Sequence, residues 1–140
     1  MPPDVVFDAL TDFSEKRAQN FPNLSRGGYE VLEHKGDTAL VREGTGPFFS
    51  KERYDWSTKG RVWSVIEESN VVSPGGMTDV RITPRGAQWS RLDVKLDRQF
   101  VGFRGRIIQT FVFANGGSRF FKRTYIRMLK NVQRSRRKRT

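Results

Sequence analysis

A chain of 140 residues with 36% apolar and 12% aromatic side chains supports one hydrophobic core and is too short for two. It has no cysteine, which excludes disulfides, thiolate metal sites and a cysteine nucleophile and fits a reducing compartment. The net charge of +11 is uneven: residues 98–140 carry 13 of the 26 Lys and Arg and none of the 15 Asp and Glu, so that end suits an anionic partner.

The start, MPPDVVFDALTDF, lacks the basic region and long apolar run of a secretory leader, and no apolar window is long enough to span a bilayer. A cytoplasmic protein, peripheral to a membrane at most, is expected. Pro3 suits a first helical turn, and Asp4 and Asp8 suit the positive end of its dipole, so residues 3–11 read as a helix with Val6, Phe7 and Leu10 on its apolar face. Ser14 can cap a second short helix, which Phe21-Pro22 ends.

From Gly28 the periodicity becomes two. Strands are expected at 29–34, 38–43, 49–56, 61–69, 77–83 and 88–96. The breaks are Lys35-Gly36-Asp37, the GTGPF run at 44–48, residues 57–60, the Ser73-Pro74-Gly75-Gly76 loop and Pro84-Arg85-Gly86. In the last strand Ser90, Leu92, Val94 and Leu96 alternate with Arg91, Asp93, Lys95 and Asp97, as a sheet with one solvated face requires. Six strands with short turns imply a meandering antiparallel sheet of the α+β class.

A long helical pattern runs from Gly105 to Gln133, broken at Gly116-Gly117, a pair able to act as a hinge. Residues 107–114, IIQTFVFA, are apolar nearly all round. That suits either burial against the sheet or a pocket lip that touches a bilayer. Beyond the break, Phe121, Tyr125, Met128, Leu129 and Val132 fall within about 100° of one another on a helical projection. Arg119, Arg123, Arg127, Lys130 and Arg134 fall opposite them.

PPDVVFDALTDF, the GDTALVREGTG hairpin, ERYDWSTKGRV, DVRITPRGAQWSRLDVKLDR and the approach GFRGRIIQTF, in this order, resemble the SRPBCC superfamily of START-related and polyketide cyclase/dehydrase-like proteins. The resemblance covers residues 3–133 and implies a helix-grip fold. Two short N-terminal helices precede a curved sheet of about six strands, which grips a long C-terminal helix across a deep apolar cavity. The family usually opens with a strand, and only Met1 stands before Pro2. That leaves a sheet edge open for pairing in a homodimer. One domain over residues 1–133 is expected, followed by a disordered basic tail at 134–140.

The expected ligand cavity draws Val62, Ser64, Ile66, Val80, Ile82, Ser90, Leu92, Val94 and Leu96 from the strands. Ile107, Ile108, Phe111, Phe121, Tyr125 and Met128 close it from the helical end, and Ser64 and Ser90 deepen it. The expected anionic-surface site is Arg119, Lys122, Arg123, Arg127 and Lys130, continued by Arg134, Arg136, Arg137, Lys138 and Arg139. It fits an anionic membrane better than nucleic acid, because Phe121 and Tyr125 turn toward the sheet and only Phe120 is left for base stacking. His34, the single histidine, reads as an exposed loop residue. One register turns Glu52, Tyr54 and Trp56 inward, and one of Glu67 and Glu68 as well. Glu43, Arg53 and Arg81 complete the polar groups on the central strands. An inward carboxylate in an apolar pocket has a raised pKa and can serve as an acid or base, a placement the resemblance associates with cyclases. Cross-strand pairing on the solvent face is the simpler reading for these charges, so no catalytic residue is assigned. The balance favours binding and transport of a small hydrophobic ligand, such as a lipid, quinone or polyketide-like molecule, over catalysis. A cyclase or dehydratase is the alternative, and no cofactor is implied.

Overall fold

The computed structural model describes residues 1–22, 24 and 26–139, with backbone only at Arg26. Helices α1 (Pro3–Thr11) and α2 (Lys16–Asn20) are followed by a 3-10 turn at Arg26–Gly28. Six strands come next: β1 (Glu30–Lys35), β2 (Thr38–Thr45), β3 (Phe48–Asp55), β4 (Arg61–Ser69), β5 (Met77–Pro84) and β6 (Ser90–Asp97). Helices α3 (Gly102–Ala114) and α4 (Ser118–Arg137) complete the chain. The strands form one antiparallel meander in the order β1 to β6, with β1 and β6 at its edges.

The expected elements are present with small differences at their ends. The GTGPF run is a tight turn rather than a break, because Gly46 takes φ of 59° and β3 starts at Phe48. Residues 134–137, expected in a disordered tail, are helical, since α4 runs through Arg137, and Thr140 lies outside the described residues. The interruption at Gly116-Gly117 separates two helices. Both glycines have positive φ, 99° and 59°, a region that side chains with a Cβ disfavour. The amide of Gly117 donates to the Val112 carbonyl at 2.9 Å and closes the end of α3.

Period-two burial sets the two faces of the sheet. Val62, Ser64 and Ile66 on β4 and Thr78, Val80 and Ile82 on β5 are buried on the concave side. On the convex side Arg61 pairs with Asp79 at 2.9 Å and Arg53 with Glu67 at 2.7 Å. A bulge where Lys51 and Glu52 meet β4 carries the extra residue Glu67. Strict alternation would turn Glu67 or Glu68 inward. The bulge absorbs that step, and both are exposed.

Helices α1 and α4 cover the concave face together. Val6, Ala9 and Leu10 from α1 and Met128 from α4 pack with Phe21, Val62, Val80 and Ile82. Tyr125, Leu129, Val132, Leu92 and Val94 are added around them. A separate cluster of Ile66, Val71 and Val72, with Phe48, Phe100 and Ile108, closes one end of the sheet. Met128 is the keystone of the helical layer, with 0% exposure. Met128→Ala should therefore cost about 2–5 kcal/mol, the range for truncating a buried Met, Leu or Ile. Urea unfolding followed by circular dichroism measures it.

Candidate functional site

The concave face is not purely apolar. Register places Ala39, Tyr54, Ser64, Thr78 and Leu96 in one row across five strands, with Val41, Glu52 and Ile66 in the next. The middle of the sheet thus presents hydroxyls and a carboxylate to the space beneath α4. Two arginines from outside the sheet reach these groups.

Arg17 comes from α2 and is 4% exposed. Its Nε donates to Glu43 Oε1 at 3.0 Å, and its Nη1 donates to the Leu10 carbonyl, also at 3.0 Å, at the end of α1. The guanidinium lies over the rings of Phe13, Phe21 and Tyr54, 4.3, 4.6 and 5.0 Å from their centres. Such faces attract a desolvated cation. Tyr54 donates its hydroxyl to the other Glu43 oxygen at 3.0 Å.

Arg98 follows the end of β6. Its Nη2 donates to Glu52 Oε2 at 3.0 Å and to Thr78 Oγ1 at 2.5 Å. Ser64 donates to the same Glu52 oxygen at 2.9 Å. The Nε of Arg98 is buried with no hydrogen-bond partner among the described residues. A charged donor left in that state is costly, and it is the one unsatisfied group in the network.

Electrostatics follow from burial. Desolvation pushes the Glu43 carboxyl up despite the opposing pull of Arg17. Burial, reinforced by the charges of Glu43 and Glu52, holds the Tyr54 phenol well above its usual range. Tyr125 on α4 is pushed by burial up to about 12, opposed mainly by the charge of Arg98. Burial disfavours the two buried guanidiniums, but Glu43 for Arg17 and Glu52 for Arg98 reverse that, so both stay firmly charged. The site holds two fixed cations, two carboxyl groups and two protonated phenols, largely shielded from solvent.

The sequence-based cavity set divides on this structure. Val62, Ser64, Ile66, Val80, Ile82 and Met128 are buried beneath or within the helical layer. Ser90, Leu92, Val94, Leu96, Ile108, Phe121 and Tyr125 are half-buried. Ile107 and Phe111 were expected to face the last strand but are 44% and 53% exposed, because α3 turns its Gly105–Val112 side inward instead. The two serines do not deepen a pocket. Ser64 is committed to Glu52, and Ser90 donates to the Met1 carbonyl at 2.6 Å. Two shallow hollows lie outside the grip, one beside Gln109 and Phe113 on α3 and one between α2 and the end of α4. The ten residues of the cationic set are all exposed. His34 is exposed too, with its ring edge-on to Phe13 and Trp56.

Glu43 and Glu52 point inward, against the simpler reading of solvent-face pairing, whereas Arg53 and Arg81 do lie on that face. Arg17 and Arg98 escaped sequence reasoning. A signal for Arg17 was present: Phe13, Arg17 and Phe21 recur every four residues about the short helix α2, with a cation between two rings. Arg98 continues the parity of Leu92, Val94 and Leu96, but it lies just past the end of β6, beyond the expected strand.

Arg17→Ala leaves Glu43 buried without its cation and should destabilise the fold by about 3–5 kcal/mol, read by urea unfolding at neutral pH. The chain's three tyrosines should show no phenolate absorbance step centred on 10, since Tyr29 and Tyr125 are both held at about 12 and Tyr54 well above 10. Their folded pKa values are raised, so this stabilisation is complete below pH 10 and is lost as pH rises through about 12. An alkaline titration at fixed ionic strength, folded against urea-unfolded, checks it.

No protein-family model and no curated protein matches this chain. Solved structures do. The Zhui aromatase/cyclase from Streptomyces sp. R1128 superposes with a TM-score of 0.71 at 19% identity, over 96% of this chain and 88% of that one. TTHA0849 from Thermus thermophilus superposes with a TM-score of 0.64 at 14% identity, over the same 96% and 88%. One of these fold-mates is itself a catalyst, which overturns the sequence-based preference for a non-catalytic protein. The chain shares the helix-grip fold of these structures, a six-stranded antiparallel sheet with a long C-terminal helix, an architecture able to form a ligand pocket between sheet and helix.

Proposed function

We propose that this protein catalyses a cyclisation and dehydration of a small hydrophobic carbonyl compound, polyketide-like or aromatic, within the grip. The observation that carries the reading is the buried Arg98 Nε without a partner, beside Glu52 and beneath Tyr125. A carbonyl oxygen satisfies that donor, and the oxygen becomes more negative as the adjacent carbon loses a proton. A fixed cation aimed at developing charge stabilises the transition state more than the ground state. The likeness to an aromatase/cyclase supports the same class.

In this reaction a carboxylate, for which Glu52 is placed, takes a proton from the carbon next to the carbonyl held by Arg98. The enolate carbon attacks a second carbonyl of the same molecule and forms a carbon–carbon bond, and the new alkoxide is protonated. Removal of a second proton from the same carbon expels the hydroxyl as water. No electrons enter or leave, so no redox partner is required. Tyr54, protonated at neutral pH, is suited to return a proton, and the Arg17–Glu43 pair positions its hydroxyl. Apolar neighbours on α1, α4 and the strands exclude bulk water and strengthen each interaction.

The first half of this chemistry can be tested without the natural substrate. Deuterium exchange next to the carbonyl of 2-tetralone, followed by NMR, should be faster with the protein than with buffer. Glu52→Gln should remove about 10²–10⁴-fold of the acceleration, the usual span for general base catalysis. Arg98→Gln should lose a comparable factor in kcat/KM. Exchange no faster than buffer, or an acceleration untouched by Glu52→Gln in a folded variant, would exclude the assignment.

A further inference from the structure

Helix α3 is placed unlike a normal surface helix. Only Gly105 and Val112 are buried along its 13 residues. The contact is close: a Cβ at Gly105 would stand 2.6 Å from the Val71 carbonyl, and Val101 N–H donates to that carbonyl at 2.9 Å. The rest of the helix stands proud. Phe103 is 79% exposed, Phe111 53% and Ile107 44%, and Phe113 near the end is 83% exposed. Positions 103, 107 and 111 recur every four residues, so they form one stripe opposite the anchoring residues. Folding leaves this stripe uncovered, and apolar patches of that kind mark sites of association.

The charge around the stripe is of one sign. Arg104 and Arg106 flank it on α3, and Arg119 and Lys122 extend the collar at the start of α4, all exposed. No Asp or Glu occurs from residue 98 to the end of the chain. The two helices are held as one piece: the Arg123 guanidinium donates to the Asn115 carbonyl, and the Phe111 and Phe120 rings meet edge-on with centres 5.6 Å apart.

We infer that this surface docks on an anionic lipid bilayer, with the Phe103–Ile107–Phe111 stripe and Phe113 entering the interface and the arginine collar at the headgroups. The inference does not depend on the proposed reaction. A bilayer offers anionic groups above an apolar layer, the same order as collar and stripe. Nucleic acid offers phosphate but no apolar slab for four large side chains. A second copy would oppose cation to cation across the collar.

The test is co-sedimentation of the full chain with vesicles of phosphatidylcholine alone and of phosphatidylcholine mixed with phosphatidylglycerol. Selective binding to the anionic vesicles is expected, with Phe103→Ser/Phe113→Ser losing about tenfold or more in affinity. Both residues are exposed, so folding should survive, and circular dichroism verifies it. Equal binding to both vesicle types, or anionic binding unchanged in the double variant, overturns the inference. So does sedimentation velocity showing a dimer that the same double variant dissolves. Tighter retention on single-stranded DNA that depends on the two phenylalanines overturns it in favour of base stacking.

Discussion

A guanidinium taken out of water needs a carboxylate within reach, and two such pairs sit between the sheet and its helical cover. Arg17 meets Glu43 and Arg98 meets Glu52, each at 3.0 Å. In each case the arginine lies outside the sheet and the carboxylate on a strand. The pairs therefore act as ties that draw α2 onto β2 and the end of β6 onto β3. Buried ion pairs add little net stability, because desolvation offsets attraction. What they impose is intolerance of error: any arrangement that separates a pair leaves a bare charge in an apolar layer.

That constraint accounts for much of the surrounding composition. Phe13, Phe21 and Tyr54 surround Arg17 with ring faces, and Ser64 and Thr78 supply hydroxyls on strands that otherwise turn Val and Ile inward. Helix α4 contributes Met128 and Tyr125 above these groups and keeps its basic side in solvent. One helix thus closes a charged site with its apolar face while its outer face remains strongly cationic. No helix among the described residues is long and apolar enough to cross a membrane.

The architecture was legible in the residues because its signals are local. Alternation in SRLDVKLD, the turn glycines, and the split of α4 into Phe121–Val132 and Arg119–Arg134 faces each depend on neighbours a few positions away. The site was less legible because it depends on register and on side chains that reach in from outside the strands. Glu52 follows the parity of Tyr54 on β3, but which parity faces the helices is fixed only by pairing with Val41 and Ile66, and the bulge that skips Glu67 on β4 is invisible to periodicity. Glu67 and Glu68 were ambiguous for the same reason. Ile107 and Phe111 misled because an apolar segment ordinarily signals burial, whereas α3 turns only Gly105, Ile108 and Val112 toward the rest of the fold. Arg98 keeps the inward parity of Leu92, Val94 and Leu96, but its pairing with Glu52 on β3 depends on how the strands are ordered in space.

The strict β1-to-β6 meander has a consequence for how the chain acquires its shape. Every strand pairs with its neighbour in sequence, so each hairpin closes a short loop and the sheet can grow by zipping from any turn. Contacts of this kind favour fast folding. The expensive closures are longer: Arg98 reaches back to Glu52, Ser90 donates to the Met1 carbonyl, and Asn131 on α4 donates to the Asn20 carbonyl across 111 residues. Loop length alone favours the sheet before the lid. The charged groups would stay hydrated until α4 settles over them, and dehydration of the site would be among the final events of folding.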